Sequence, residues 1–88
     1  MTVPVRFTVA RTFQLTGMGP TAVGILEEGD VPVTGTTLHV EANGTPVRIR
    51  SFDLHTRQTP AGVQVGLFLH PEDASMVSPG SVLVSPPA

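Results

Sequence analysis

LTGMGPTAVGILEEGDVPVTG, from Leu15 to Gly35, is the stretch whose reading decides the fold. Gly17 and Gly19 bracket Met18 and precede Pro20, which reads as a tight corner rather than a strand. The apolar run Ala22, Val23, Ile25 and Leu26 follows, then the acidic turn Glu27-Glu28-Gly29-Asp30, then a second turn at Gly35. Strand, corner, strand, turn, strand is the order of a small antiparallel barrel. Gly24 interrupts the apolar run, and its expected role is coiling or a close backbone approach in a tightly curved sheet.

Upstream, apolar residues occupy alternate positions: Val3, Val5, Phe7, Val9, then Phe13 and Leu15. This is the period of a strand with one buried face. Arg11 falls in the inward phase, so the strand either leaves the barrel body there or carries a β-bulge that turns Arg11 out. Downstream, Val31 to Gly35 reads as a short extended link. Leu38, Val40 and Ala42 alternate against His39 and Glu41 before Asn43-Gly44, a hairpin dipeptide that favours positive backbone dihedrals. Val47 and Ile49 point inward and Arg48 and Arg50 outward; the phase then slips before Phe52 and Leu54, which places a bulge around Arg50–Ser51. Thr56 to Gly62 reads as a loop. Val63, Val65, Leu67 and Leu69 form the next strand, with Phe68 implying cover on the opposite face. Pro71 to Met76 is one helical turn, Ser78-Pro79-Gly80 a turn, and Ser81 to Ser85 a final strand.

The expectation is therefore an all-β, small closed antiparallel β-barrel of about six strands. It forms one domain over residues 1–88, with 85–88 as a flexible C-terminus. The predicted core is Val5, Phe7, Val9, Phe13, Val23, Ile25, Leu38, Val40, Val47, Ile49, Val65, Leu67 and Val82. Hydrophobic residues make up 40% and charged residues 14% of the chain, a balance that favours a packed domain over disorder. The formal charge is −2 and every basic side chain is an arginine, so a general grip on phosphate backbones is disfavoured. With no cysteine there is neither a disulfide framework nor thiolate chemistry. No secretory signal and no membrane span is read, and a cytoplasmic location is the expectation.

The order of these signals resembles the second domain of elongation factor Tu and related translational GTPases. The matching stretches are Phe7–Val40, Ala61–His70 and Ser78–Val84. In that family a strand ending in Phe and an aliphatic residue leads into Gly-x-Gly, then a Gly and an acidic-Gly turn. Phe13, Leu15, Gly17, Gly19, Gly24 and the Glu27–Gly29 turn stand at those positions. The later signature matches Gly62, Gly66, Leu67 and Leu69, and Gly80 precedes the closing strand. The resemblance implies a six-stranded-type barrel. In factor Tu this domain helps bind the aminoacyl end of tRNA; in other members it contacts the ribosome and packs on a GTPase domain. Here Ala10-Arg11 replaces the family's acidic pair, Met18 its basic residue between the glycines, and Pro20 follows. Free tRNA is therefore not the expected partner. No Gly-rich loop ending in Lys-Ser/Thr exists and the chain has no lysine, so GTP binding and intrinsic GTP hydrolysis are not expected.

The expected function is that of a non-catalytic binding module for a protein or ribosomal surface, with no cofactor or metal, as a monomer or weak homodimer. Its candidate contact residues are Phe13, Leu15, Gly17, Met18 and Pro20, as the rim of an apolar groove, and Arg48, Arg50 and Arg57, as bidentate donors to carboxylate or phosphate. The plainer account of the strand arginines is solvation and pairing with Glu41 across the hairpin. A protein-interaction role outside translation is one alternative. Another is a small hydrolase using His55 with Asp53, or a metal held by His39, His55 and His70, although their spacing fits no compact ligand motif.

Overall fold

The computed structural model describes residues 4–17, 19–29, 36–52 and 56–85. The alternation of Val5, Phe7 and Val9 produces a long first strand, β1 (Val5–Leu15), and the chain returns along it as β2 (Gly19–Glu28). Then come β3 (Thr37–Val40), β4 (Pro46–Phe52), β5 (Arg57–Thr59), β6 (Gly62–Leu69), a 3₁₀ helix (Pro71–Met76) and β7 (Val82–Ser85). Six strands close a ring in the order β2-β1-β7-β3-β4-β6 and back to β2, with every pair antiparallel. The result is a closed six-stranded antiparallel barrel. The short β5 is a seventh strand, hydrogen-bonded to the start of β6 through Arg57↔Gln64 and Thr59↔Gly62. The expected loop at 56–62 is thus a tight hairpin, in which the Thr59 hydroxyl donates to the Gly62 carbonyl at 2.7 Å and accepts from the Ala61 amide at 3.2 Å.

Both expected bulges are present, and the first reorganises its strand. Val9 pairs with Gly24 and Arg11 with Val23, leaving Ala10 as the extra residue. One extra residue reverses the phase of a strand. Odd residues face the core up to Val9; beyond Ala10 the odd residues Arg11 and Phe13 face out. Phe13 is 39% exposed and does not belong to the predicted core. The second expected bulge lies between Ile49 and Ser51, at Arg50; a further register shift, not expected, lies between Arg6 and Phe7, where Glu27 of β2 is the extra residue.

Two more predicted core phases are corrected. In β2 the buried residues are Pro20, Thr21, Ala22, Gly24 and Leu26, while Val23 and Ile25 are half-buried on the outer side. In β7 the core residue is Leu83, fully buried, and Val82 is half-buried. Val5 is partly buried and packs against the core. The remaining expectations hold: Phe7, Val9, Leu38, Val40, Val47, Ile49, Val65 and Leu67 form the core with Leu69 and Val77, and Phe68 is covered at 8% exposure. The Gly17–Pro20 corner is shorter than read, since Gly19 and Pro20 already belong to β2 and pair with Leu15 and Gln14. At Asn43-Gly44 only the glycine takes a positive φ, 74°, so the turn is a wider one in which Asn43 Oδ1 accepts the Thr45 amide at 2.9 Å. The readings of the link at 31–35, of Leu54 and of the tail at 86–88 fall outside the described residues, as does Asp30 in the acidic turn.

Gly24 is held at a close approach of backbones. A Cβ placed on it would lie 2.0 Å from the Thr8 carbonyl oxygen and 2.9 Å from Val9 Cα. Gly24→Ala must therefore push β2 off β1, and its loss of stability in urea unfolding should exceed the ~1–2 kcal/mol expected of Gly44→Ala, where only the left-handed φ is at issue. Phe7→Ala, at a side chain with no exposed surface, should cost about 3–5 kcal/mol by the same measurement.

Candidate functional site

The end of the β1–β2 ribbon is exposed along its β1 side. Residues Ala10 to Gln14 of β1 are all exposed, because the bulge carries them past the last pairing with β7 at Val5–Thr8. Among the described residues no strand other than β2 pairs with this segment. Beside it is a cavity of about 180 Å³ lined by Thr12, Phe13, Gln14, Pro20, Thr21, Leu69 and Ala74. Phe13 is its exposed aromatic wall; Pro20 and Thr21 are buried and form its base. Pro20 therefore lines the cavity as a buried residue rather than an exposed rim. Gly17 is exposed at the loop tip, while Met18 and the Leu15 side chain fall outside the described residues.

The three candidate arginines do not form one patch. Arg48 is taken up within the fold: its side chain donates to Asp73 Oδ2 at 3.1 Å and to Glu72 Oε2 at 3.0 Å, and its backbone amide donates to Asp73 Oδ2 at 2.9 Å. The expected pairing with Glu41 is replaced, since Glu41 binds Arg6, whose Nε also lies 3.2 Å from Glu27. Arg50, turned out by its bulge, brings Nη2 within 3.5 Å of where a Gly19 Cβ would stand, so it leans on the Gly17–Pro20 corner. Arg57 is on a different part of the surface. With Arg11 it lines a second concavity of about 380 Å³, together with Ala10, Val23, Gly24, Ile25 and Gln64.

The Asp73 clamp has a clear cause. The β6 ladder with β4 starts at Ile49↔Leu69, after which the chain turns into the 3₁₀ helix. The Arg48 amide lies just beyond that ladder, and the Asp73 carboxylate accepts from it. That backbone hydrogen bond, with the Arg48 guanidinium behind it, holds the Asp73 carboxyl below its usual 3.8. Conversely the hydrogen bond from Arg48 to Asp73 raises the guanidinium pKa, as Glu41 does for Arg6. Neither tie was legible in the sequence, where the acids lie 24, 25 and 35 residues from their arginines. The one local signal was Glu72-Asp73 directly after Pro71.

His39 pairs with Pro46 and keeps a buried Nδ1 that has no hydrogen-bond partner among the described residues; His70 precedes the 3₁₀ helix. His55 and Asp53 lie outside the described residues, so the acid–base pairing considered for them has no geometry here. Among the described residues, no three His, Asp or Glu side chains gather as a metal-binding group, and no helix is long and apolar enough to cross a membrane. No model of a known protein family matches the sequence, and no curated protein matches it.

Asp73 supplies a pH test. Its folded pKa is depressed, so its stabilisation is fully present above about 3.8 and is lost as pH falls through the lower folded value. Asp73→Asn should be less stable than wild type at pH 7, with the gap constant down to pH 5 and closing below 3.8 in parallel denaturation curves.

Proposed function

We propose that the chain is a non-catalytic binding module, resembling a translation-factor second domain, which receives a segment of a partner protein at the end of the β1–β2 ribbon. The observation that carries this reading is Phe13: an aromatic ring in a strand, turned outward by the Ala10 bulge and 39% exposed beside an apolar cavity. A large aromatic that anchors no core is the kind of residue that dominates binding energy at protein interfaces. The strand that bears it has an open edge among the described residues, so a partner backbone can hydrogen-bond alongside while a side chain enters the cavity. An apolar centre with a charged rim suits a protein partner. A role in translation rests on the sequence resemblance alone.

One observation favours a ribonucleoprotein surface as the second reading: Arg50 leans on the same corner, where it can reach a phosphate as readily as a carboxylate. The intact chain, immobilised and exposed to native extract with and without ribonuclease, separates the two. Phe13→Ala and Arg50→Ala are tested in parallel once urea curves show both variants folded. For a protein partner, recovery of one species survives nuclease, and affinity for that purified species falls about thirtyfold in Phe13→Ala, the factor for a 2 kcal/mol anchor. Nuclease-sensitive recovery lost with Arg50→Ala supports the ribonucleoprotein instead. Equal retention by all folded variants rejects the ribbon end as the contact surface.

A further inference from the structure

The second concavity stands outside that reading and has its own chemistry. In antiparallel pairs, opposed residues project from the same face, as do residues two apart on one strand. Arg11 is opposed to Val23, Ile25 to Gln64, and Gln64 to Arg57. These five side chains therefore share the outer face across four strands, β1, β2, β6 and β5. The bulge at Ala10 is what puts Arg11 there, since without it Arg11 would follow Val9 toward the core.

What sets this face apart is two arginines on one concavity. Arg6 is paired with Glu27 and Glu41 and Arg48 with Glu72 and Asp73, while Arg50, at the Gly17–Pro20 corner, has no carboxylate within ion-pair distance among the described residues. Among the described residues, neither Arg11 nor Arg57 has a carboxylate within ion-pair distance, yet both line the same concavity of about 380 Å³. Glu27, the nearest acid along β2, is held by Arg6 Nε at 3.2 Å and by the Thr8 hydroxyl at 2.9 Å. Between the arginines, Gln64 offers an amide donor and the half-buried Val23 and Ile25 make an apolar floor.

We infer that this concavity binds a phosphate monoester, with Arg11 and Arg57 as its two cationic arms, Gln64 as a neutral donor, and the ester's organic group resting on Val23 and Ile25. Two guanidiniums carry two positive charges. A phosphate monoester carries about −1.5 to −2 at neutral pH and matches them, whereas one carboxylate leaves a cation unmatched. The planar donor fork of arginine fits phosphate oxygens in pairs. The group can belong to a free nucleotide or to a phosphorylated side chain of a partner, and the recognising chemistry is the same.

Amide chemical shifts of the intact ¹⁵N-labelled chain, followed at constant ionic strength with chloride as the exchange anion, test this. Inorganic phosphate, adenosine 5′-monophosphate and a phosphoserine peptide are titrated separately. Saturable shifts centred on Val23, Ile25, Gln64 and Arg57 are expected. They should weaken at least about tenfold in Arg11→Gln and in Arg57→Gln, as for loss of one charge-assisted contact, and weaken from pH 7.5 to 5.5 as the dianion is protonated near pH 6. Whichever ester binds more tightly than inorganic phosphate identifies the source. Arg50→Gln and Phe13→Ala should retain the shifts, which keeps this site distinct from the partner-binding reading. Linear, non-saturating shifts, or affinity unchanged from wild type in both folded arginine variants, overturn the proposal.

Discussion

The contact between Gly24 and the Thr8–Val9 backbone sets the shape of the barrel. At that point two hydrogen-bonded strands come closer than any side chain permits, with the missing Cβ 2.0 Å from a carbonyl oxygen. A glycine costs strand stability of itself, but here it lets the β1–β2 ribbon coil. The coil is completed opposite Gly24, where Ala10 is inserted as a bulge. Bent in this way, β2 pairs with β1 on one side and with β6 on the other, which closes the ring. Closure removes most of the open edge that a six-stranded sheet would expose. The same bulge reverses the phase of the distal ribbon, so that an aromatic and an arginine that sequence periodicity directs inward end on the surface.

Charge is used sparingly and mostly internally to the fold. Arg6 on β1 ties the end of β2 to the β3–β4 turn through Glu27 and Glu41. Arg48 ties β4 to the 3₁₀ helix. Surface pairs of this kind are individually weak; the Asp73 contact differs because a backbone amide is among its donors. That amide sits where one ladder runs out and the chain changes direction, so the carboxylate does there what the next strand residue would have done. A short helix with no buried residue of its own is thereby fixed over the barrel end, where Ala74 joins Phe13 and Pro20 around the small cavity.

Most of the architecture was legible because alternation is unambiguous where polar and apolar residues truly alternate. Val5 to Val9, Leu38 to Val40, Val47 to Ile49 and Val63 to Leu69 each gave the correct buried face. The misreadings in β2 and β7 have a common cause. In Ala22-Val23-Gly24-Ile25-Leu26 and in Val82-Leu83-Val84 both phases are apolar, so alternation does not choose the buried face, and β-branched residues take the inward assignment. The fold instead buries small residues where β2 passes closest to β1, leaving Val23 and Ile25 to half-cover the outer face. Arg57-Gln58-Thr59 carries no hydrophobic period at all, and only its pairing with β6 makes it a strand. For the site, Phe13 was identified by type and place but assigned to the core as well; only the register at Ala10 decides between the two. The pairing of Arg11 with Arg57 depends on three successive strand registers, which no local pattern encodes.

A net charge of −2 argues against a long polyanion and still permits a single phosphate, because the two are judged over different distances. At physiological salt the screening length is about 8 Å. The domain measures 35 × 28 × 23 Å, several such lengths across. A phosphate seated between Arg11 and Arg57 feels those two charges first, while Glu41 and Glu72 are already held by Arg6 and Arg48. A nucleic-acid strand long enough to wrap the barrel meets those carboxylates in turn, and gains counterion release from too few cations to offset them. On this proposal, local recognition of one anionic group and rejection of an extended one follow from the same arrangement: most of the described acids paired with two arginines, and two further arginines on one face, Arg11 through the Ala10 bulge and Arg57 through the pairing of β5 with β6.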